Sequence, residues 1–157
     1  MNAMLLTDGY KLDHRRQYPK GTEFVYSNWT PRSNTYFQDA EDGVVVFGIQ
    51  YFIKKYLIDY FNMEFFCLPK NVAVKKFARR VNTFLGENEV GTAHIAALHD
   101  LGYLPIRIKS LPEGSICPIR VPMMTVVNTH PDFFWVTNFL ETLMSCELWL
   151  PMTSATT

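Results

Sequence analysis

The stretch from Pro131 to about Leu148 constrains this chain more than any other. Phe133, Phe134, Trp135, Val136, Phe139, Leu140, Leu143 and Met144 sit around a helical wheel with almost no polar face between them. Pro131 and Asp132 suit a first helical turn. A helix apolar on so many sides has to be buried on several faces at once. The chain has 157 residues, 48% apolar and 15% aromatic, which is material for one domain with a core and not the composition of a disordered chain. In a domain this small, such a helix is expected to reach beyond its own core. The face from Phe133 to Met144 is therefore expected to stay open and to drive self-association.

The remaining pattern is that of an α+β domain with about four helices. Glu23–Trp29 is rich in aromatic and β-branched residues and predicts a strand. Thr30–Gly43 reads as a loop, and Val44–Phe47 as a short buried strand. Ile49, Phe52, Ile53, Tyr56, Leu57 and Tyr60 recur at helical spacing. A second helix opens at Pro69 and closes before Gly86, with Ala73, Phe77, Val81, Phe84 and Leu85 as its apolar stripe. Asn88 is a candidate cap for a third helix that stops at Gly102. Beyond Pro105 the period changes to two: Ile106, Ile108 and Ser110 alternate with Arg107 and Lys109. Ser115–Val121, interrupted by Pro118, and Met124–Asn128 complete the predicted strands.

Charge excludes several functions. Fifteen basic and fifteen acidic residues leave a formal net charge of zero, so nothing in the overall balance favours nucleic acid or an anionic membrane as partner. Lys70, Lys75, Lys76, Arg79 and Arg80 form the one dense basic cluster, read here as the solvated face of the second helix rather than a phosphate site. Cys67, Cys117 and Cys146 are odd in number and widely spaced, which fits reduced thiols rather than disulfides or zinc. Asn28-Trp29-Thr30 matches a glycosylation sequon, but nothing else points to secretion. No apolar run reaches membrane-spanning length, Met1–Leu6 lacks a basic leader, and the chain reads as cytoplasmic.

Nucleotide-binding glycine loops, the nucleophile elbow and zinc-helix motifs are absent. His94 and His99 lie five apart on one helix, poor spacing for a shared metal, and read as ordinary boundary histidines. His14 and His130 sit in polar or turn contexts. No catalytic residue and no metal ligand can be named from these patterns.

A set of short motifs adds what periodicity cannot. They are Thr7-Asp8-Gly9-Tyr10-Lys11 with His14 and Gln17-Tyr18-Pro19; Val25-Tyr26-Ser27 followed by Arg32; Phe47-Gly48-Ile49-Gln50-Tyr51; Leu104-Pro105-Ile106 with Pro112-Glu113-Gly114; Trp135-Val136-Thr137-Asn138-Phe139-Leu140-Glu141-Thr142; and Trp149-Leu150-Pro151-Met152-Thr153 with Ala155-Thr156. In this order, along the whole chain, they resemble the nicotinamide phosphoribosyltransferases. Nicotinate phosphoribosyltransferases share the opening Thr-Asp-x-Tyr, but His14 and Gln17-Tyr18-Pro19 favour the nicotinamide branch. The loop between Arg32 and Val44 is shorter than in the animal enzymes.

The resemblance implies a fold of the nicotinate/nicotinamide phosphoribosyltransferase N-terminal type, with mixed or antiparallel strands. Residues 1–157 would be that domain, truncated before the family's α/β barrel and inactive alone. The complete enzyme would make nicotinamide mononucleotide and pyrophosphate from nicotinamide and phosphoribosyl pyrophosphate, as a homodimer with shared active sites. Mg²⁺ would accompany the phosphoribosyl pyrophosphate, with none bound by this segment. By the same resemblance Tyr10 stacks on the pyridine ring, Arg32 contacts the substrate phosphate across the dimer, and Lys11 is a further candidate for that electrostatic task. Asp8 either lines the same tunnel or fixes its loop. Glu141 is expected to be a buried structural acceptor. The rival readings are a nicotinate transferase domain and a non-catalytic protein-interaction module.

Overall fold

A computed structural model describes residues 2–37 and 42–157; the part of the predicted Thr30–Gly43 loop at 38–41 lies outside the described residues. Three strands, β1 (Tyr26–Trp29), β3 (Ile106–Ser110) and β5 (Met124–Asn128), form an antiparallel sheet in the order β1-β5-β3. A second antiparallel pair joins β2 (Val44–Val45) to β4 (Ile116–Cys117). Val126 of the central strand β5 faces Ser27 on one side and Ile108 on the other. Alternation along β5 buries Met124, Val126 and Asn128. The Asn128 side chain closes the end of the sheet: its Nδ2 donates to the carbonyls of Glu23 and His130, and its Oδ1 accepts the Val25 amide.

Among the described residues there are five α-helices: α1 (Ile49–Phe52), α2 (Lys70–Leu85), α3 (Ala93–Leu101), α4 (Val136–Phe139) and α5 (Glu141–Thr156). The α+β architecture and antiparallel strands are those expected, and among the described residues there is no barrel. Helix α2 buries Ala73, Phe77 and Val81 as its stripe required, whereas Phe84 and Leu85 at its end are exposed. Short 3₁₀ turns at Ala3–Leu5, Gly9–Leu12 and His14–Gln17 form the amino-terminal stretch; the first is buried beside α2, and the second is tied to α5 through Thr142.

Four expectations change. The helix opening at Ile49 widens into a π-helix over Ile53–Tyr60 and Asn62–Phe66, so burial passes from Phe52 to Leu57, Phe61 and Phe65 and leaves Tyr56 and Tyr60 half-buried. Helix α3 starts at Ala93, because Asn88 spends its side chain on a local turn: Nδ2 donates to the Gly86 carbonyl and Oδ1 accepts the Val90 amide. The strand predicted over Ser115–Val121 shrinks to Ile116–Cys117, where Pro118 ends the ladder.

The fourth concerns the apolar helix, which is neither continuous nor open. Pro131–Phe133 is a 3₁₀ turn, and a break at Leu140 separates α4 from α5. At that break the Phe139 carbonyl accepts the Thr7 hydroxyl at 2.9 Å, diverting it from the helical ladder. Phe133, Trp135, Val136, Phe139, Leu140, Leu143 and Met144 are all buried by this chain's own elements, which removes the argument for self-association through that face. The helix also continues past Leu148 over Pro151. Leu148 and Met152 are buried on either side of the proline, and the Thr156 hydroxyl accepts the Val45 amide.

Candidate functional site

The 3₁₀ turn Gly9–Leu12 gathers three of the four residues singled out from the sequence. Tyr10 leaves 60% of its surface exposed, while Lys11, next to it, is 4% exposed. The turn inverts the usual preference, placing an aromatic ring outside and an ammonium inside. A buried charge is tolerated only when it is paired and hydrogen-bonded. The Lys11 ammonium meets the carboxylates of Glu141 and, at 3.2 Å, Asp8, and donates to the Thr142 hydroxyl at 2.9 Å.

Thr142 is the hub. Its hydroxyl donates to Asp8 Oδ2 at 2.7 Å and accepts both the Asp8 backbone amide, at 3.1 Å, and the Lys11 ammonium. One donor and two acceptor sites are all that a hydroxyl offers, and all are used. The Thr142 hydrogen bond, with help from Lys11, holds the Asp8 carboxyl below the usual range. Burial opposes the charge on Lys11, but Glu141 and Asp8 outweigh it and raise the ammonium above its ordinary value. Burial likewise opposes the charge on Glu141, and Lys11 and Ser145 overcome it, lowering that carboxyl. Glu141 is thus half-exposed and ion-paired rather than buried.

The Tyr10 ring stands edge-on to His14, with centroids 5.0 Å apart, and the Lys11 ammonium lies 5.6 Å from its centroid. Beneath the turn, a Cβ built on Gly9 would lie 2.5 Å from the Phe84 ring, so the end of α2 packs directly against this backbone. Beside it, His14, Gln17, Tyr18, Pro19 and Asn138 line a shallow pocket of about 230 Å³. Asn138 joins two distant motifs there: Nδ2 donates to the Tyr18 hydroxyl at 2.6 Å, and Oδ1 accepts the Ser27 hydroxyl at 2.7 Å.

Arg32 stands apart. It is exposed on the stretch that follows β1, and among the described residues no carboxylate pairs with it. Sequence reasoning missed Thr142 and Asn138 as organising residues. Both lie inside a quoted motif, but their partners are more than 100 positions away. Among the described residues no cluster of three or more His, Cys, Asp or Glu side chains could hold a metal ion, and no helix is long and apolar enough to cross a membrane.

Comparison with known proteins gives the family and the fold. The family described as nicotinamide phosphoribosyltransferase, N-terminal domain, matches residues 2–108. The chain is 52% identical to the nicotinamide phosphoribosyltransferase of Acinetobacter baylyi, over 99% of this chain and 32% of that protein. It is 35% identical to the enzyme of the same name from Xanthomonas campestris pv. campestris, over 99% of this chain and 30% of that one. The chain spans about a third of the length of these relatives. Its fold matches the crystal structure of human nicotinic acid phosphoribosyltransferase with a TM-score of 0.62 at 19% identity, over 97% of this chain and 27% of that one. Matched along nearly its whole length by these relatives, and over residues 2–108 by the N-terminal domain, this chain belongs to the nicotinamide phosphoribosyltransferase family.

Proposed function

We propose that this chain forms the N-terminal part of an enzyme that joins nicotinamide to phosphoribosyl pyrophosphate, and that it supplies the Tyr10 ring as one wall of the base site. The pyridine nitrogen forms a bond to the anomeric carbon, the bond from that carbon to the pyrophosphate oxygen breaks, and pyrophosphate leaves with the electron pair. Positive charge develops on the ribose during this exchange, so holding the two reactants in line supplies much of the catalysis. The observation that carries the reading is an exposed aromatic ring on a turn fixed from inside by a buried lysine.

In this reading Tyr10 covers the pyridine ring bound mainly by a second subunit, in a cytoplasmic homodimer with shared sites. Aromatic stacking contributes about 0.5–1.5 kcal/mol beyond burial. Arg32 offers its planar fork to phosphate oxygens. Asp8 and Lys11 are positioning residues: their charges are committed to each other and to Glu141 and Thr142, which fixes the turn that presents Tyr10. Mg²⁺ would accompany phosphoribosyl pyrophosphate; among the described residues no cluster of three or more His, Cys, Asp or Glu could hold a metal ion.

The test uses the full-length enzyme. Tyr10→Ala should raise the KM for nicotinamide about tenfold with little change for phosphoribosyl pyrophosphate, as expected for loss of about 1.4 kcal/mol of base binding. Tyr10→Phe should keep most of the affinity. Arg32→Ala should weaken phosphoribosyl pyrophosphate instead. An unchanged nicotinamide KM in Tyr10→Ala would remove the role given to that ring. Turnover of nicotinate in preference to nicotinamide would move the assignment to the sister activity.

A further inference from the structure

The basic cluster of α2 is exposed, as expected, and part of it borders a concavity. Lys76, Arg79, Arg80 and Thr83 follow the i, i+3, i+4, i+7 spacing of one helical stripe and, with Asn2 and Leu5, line a single concavity of about 530 Å³. That volume lies within the range of small-molecule sites. The opposite wall is fixed rather than loose. Asn2 is 2% exposed, donates to the Ala73 carbonyl of α2 at 2.8 Å and accepts the Met4 amide at 3.0 Å. Lys70, further along α2, is neutralised by Asp100, and Arg16 by Asp13 and Glu89. Among the described residues, Lys76, Arg79 and Arg80 have no carboxylate partner.

We propose that this concavity binds a small phosphorylated molecule carrying at least two phosphate charges. Two adjacent guanidinium forks match phosphate oxygens, and a lysine adds a third positive charge. The three cations span only about one helical turn and border one concavity, which suits a compact anion better than an extended polyanion. The proposal is independent of the roles given to Tyr10 and Arg32.

The probe is inorganic triphosphate, titrated calorimetrically into the full-length protein. Wild type should bind it at a class of sites that the Lys76→Gln/Arg79→Gln/Arg80→Gln variant loses by at least tenfold in affinity, while Arg32→Ala retains it. These side chains are exposed and glutamine keeps the helix propensity, so the melting temperature should not move. Affinity at this class should fall with added salt. Equal stoichiometry and affinity in wild type and the triple variant would overturn the proposal, and so would loss of the same sites in Arg32→Ala.

Discussion

Thr142 Oγ1 donates to Asp8 Oδ2 at 2.7 Å and accepts the backbone amide of the same Asp8 at 3.1 Å, so one side chain of α5 holds both ends of one residue of the amino-terminal turn. Thr142→Val keeps the shape and removes all three hydrogen bonds. It should loosen the turn by about 1–2 kcal/mol, the usual cost of leaving such groups unpaired. Faster amide exchange at residues 8–12, with the sheet unchanged, is the expected signature. Exchange as slow as in wild type would show that Lys11 alone fixes the turn.

The ion pairs around Lys11 give the clasp a pH window. Asp8 and Glu141 have lowered values, so their contribution is complete above the ordinary carboxylate range and is lost as pH falls through the lowered ones. Lys11 is raised, so its contribution is complete below its ordinary 10.5 and fades only as pH rises beyond that. Lys11→Met should cost about 1–2 kcal/mol between roughly pH 5 and pH 10, since both carboxylates are half-exposed and screened. The difference from wild type should shrink as pH falls below the ordinary carboxylate range. A stability difference that does not change between pH 7 and pH 3, in parallel denaturant titrations, would rule out an electrostatic clasp.

His94 lies between the rings of Phe77 and Trp135, with Nδ1 buried and unpartnered. Burial, and then the charge of Arg15, lowers its pKa to about 4. The unfolded chain takes up this proton near 6.5 and the folded chain does not, so stability falls as pH drops from 6.5 towards 4. The loss totals about 3 kcal/mol. His94→Phe should flatten the slope by one proton across that window. An NMR titration of His94 with a midpoint above 6 would contradict the burial argument.

Arg120 is the one non-glycine residue with positive φ among the described residues, at 69°, and its amide donates to the Pro31 carbonyl at 2.7 Å. Left-handed backbone costs an L-residue roughly 1 kcal/mol, and glycine escapes that cost. Arg120→Gly should therefore leave stability unchanged or raise it by about 0.5–1 kcal/mol. A clear drop in melting temperature would mean that the arginine side chain stabilises the loop by more than the strain.

Local chemistry alone settled a good part of this molecule. The period-two pattern of Ile106–Ser110, the Pro69 start and Gly86 end of α2, and the apolar residues of 133–144 each follow from interactions within a few residues, and each is present. Ordered motifs gave the family and pointed to Tyr10 and Asp8. What the linear pattern could not hold is pairing at a distance. The break at Leu140 exists because Thr7 reaches the Phe139 carbonyl, and Lys11 is buried because Glu141 and Thr142 lie across from it. The apolar helix finds its cover inside the chain for the same reason. A hydroxyl or a carboxylate some 130 residues away leaves no trace in local spacing, so only the folded chain could decide which face of the first turn is buried and which ring is left outside.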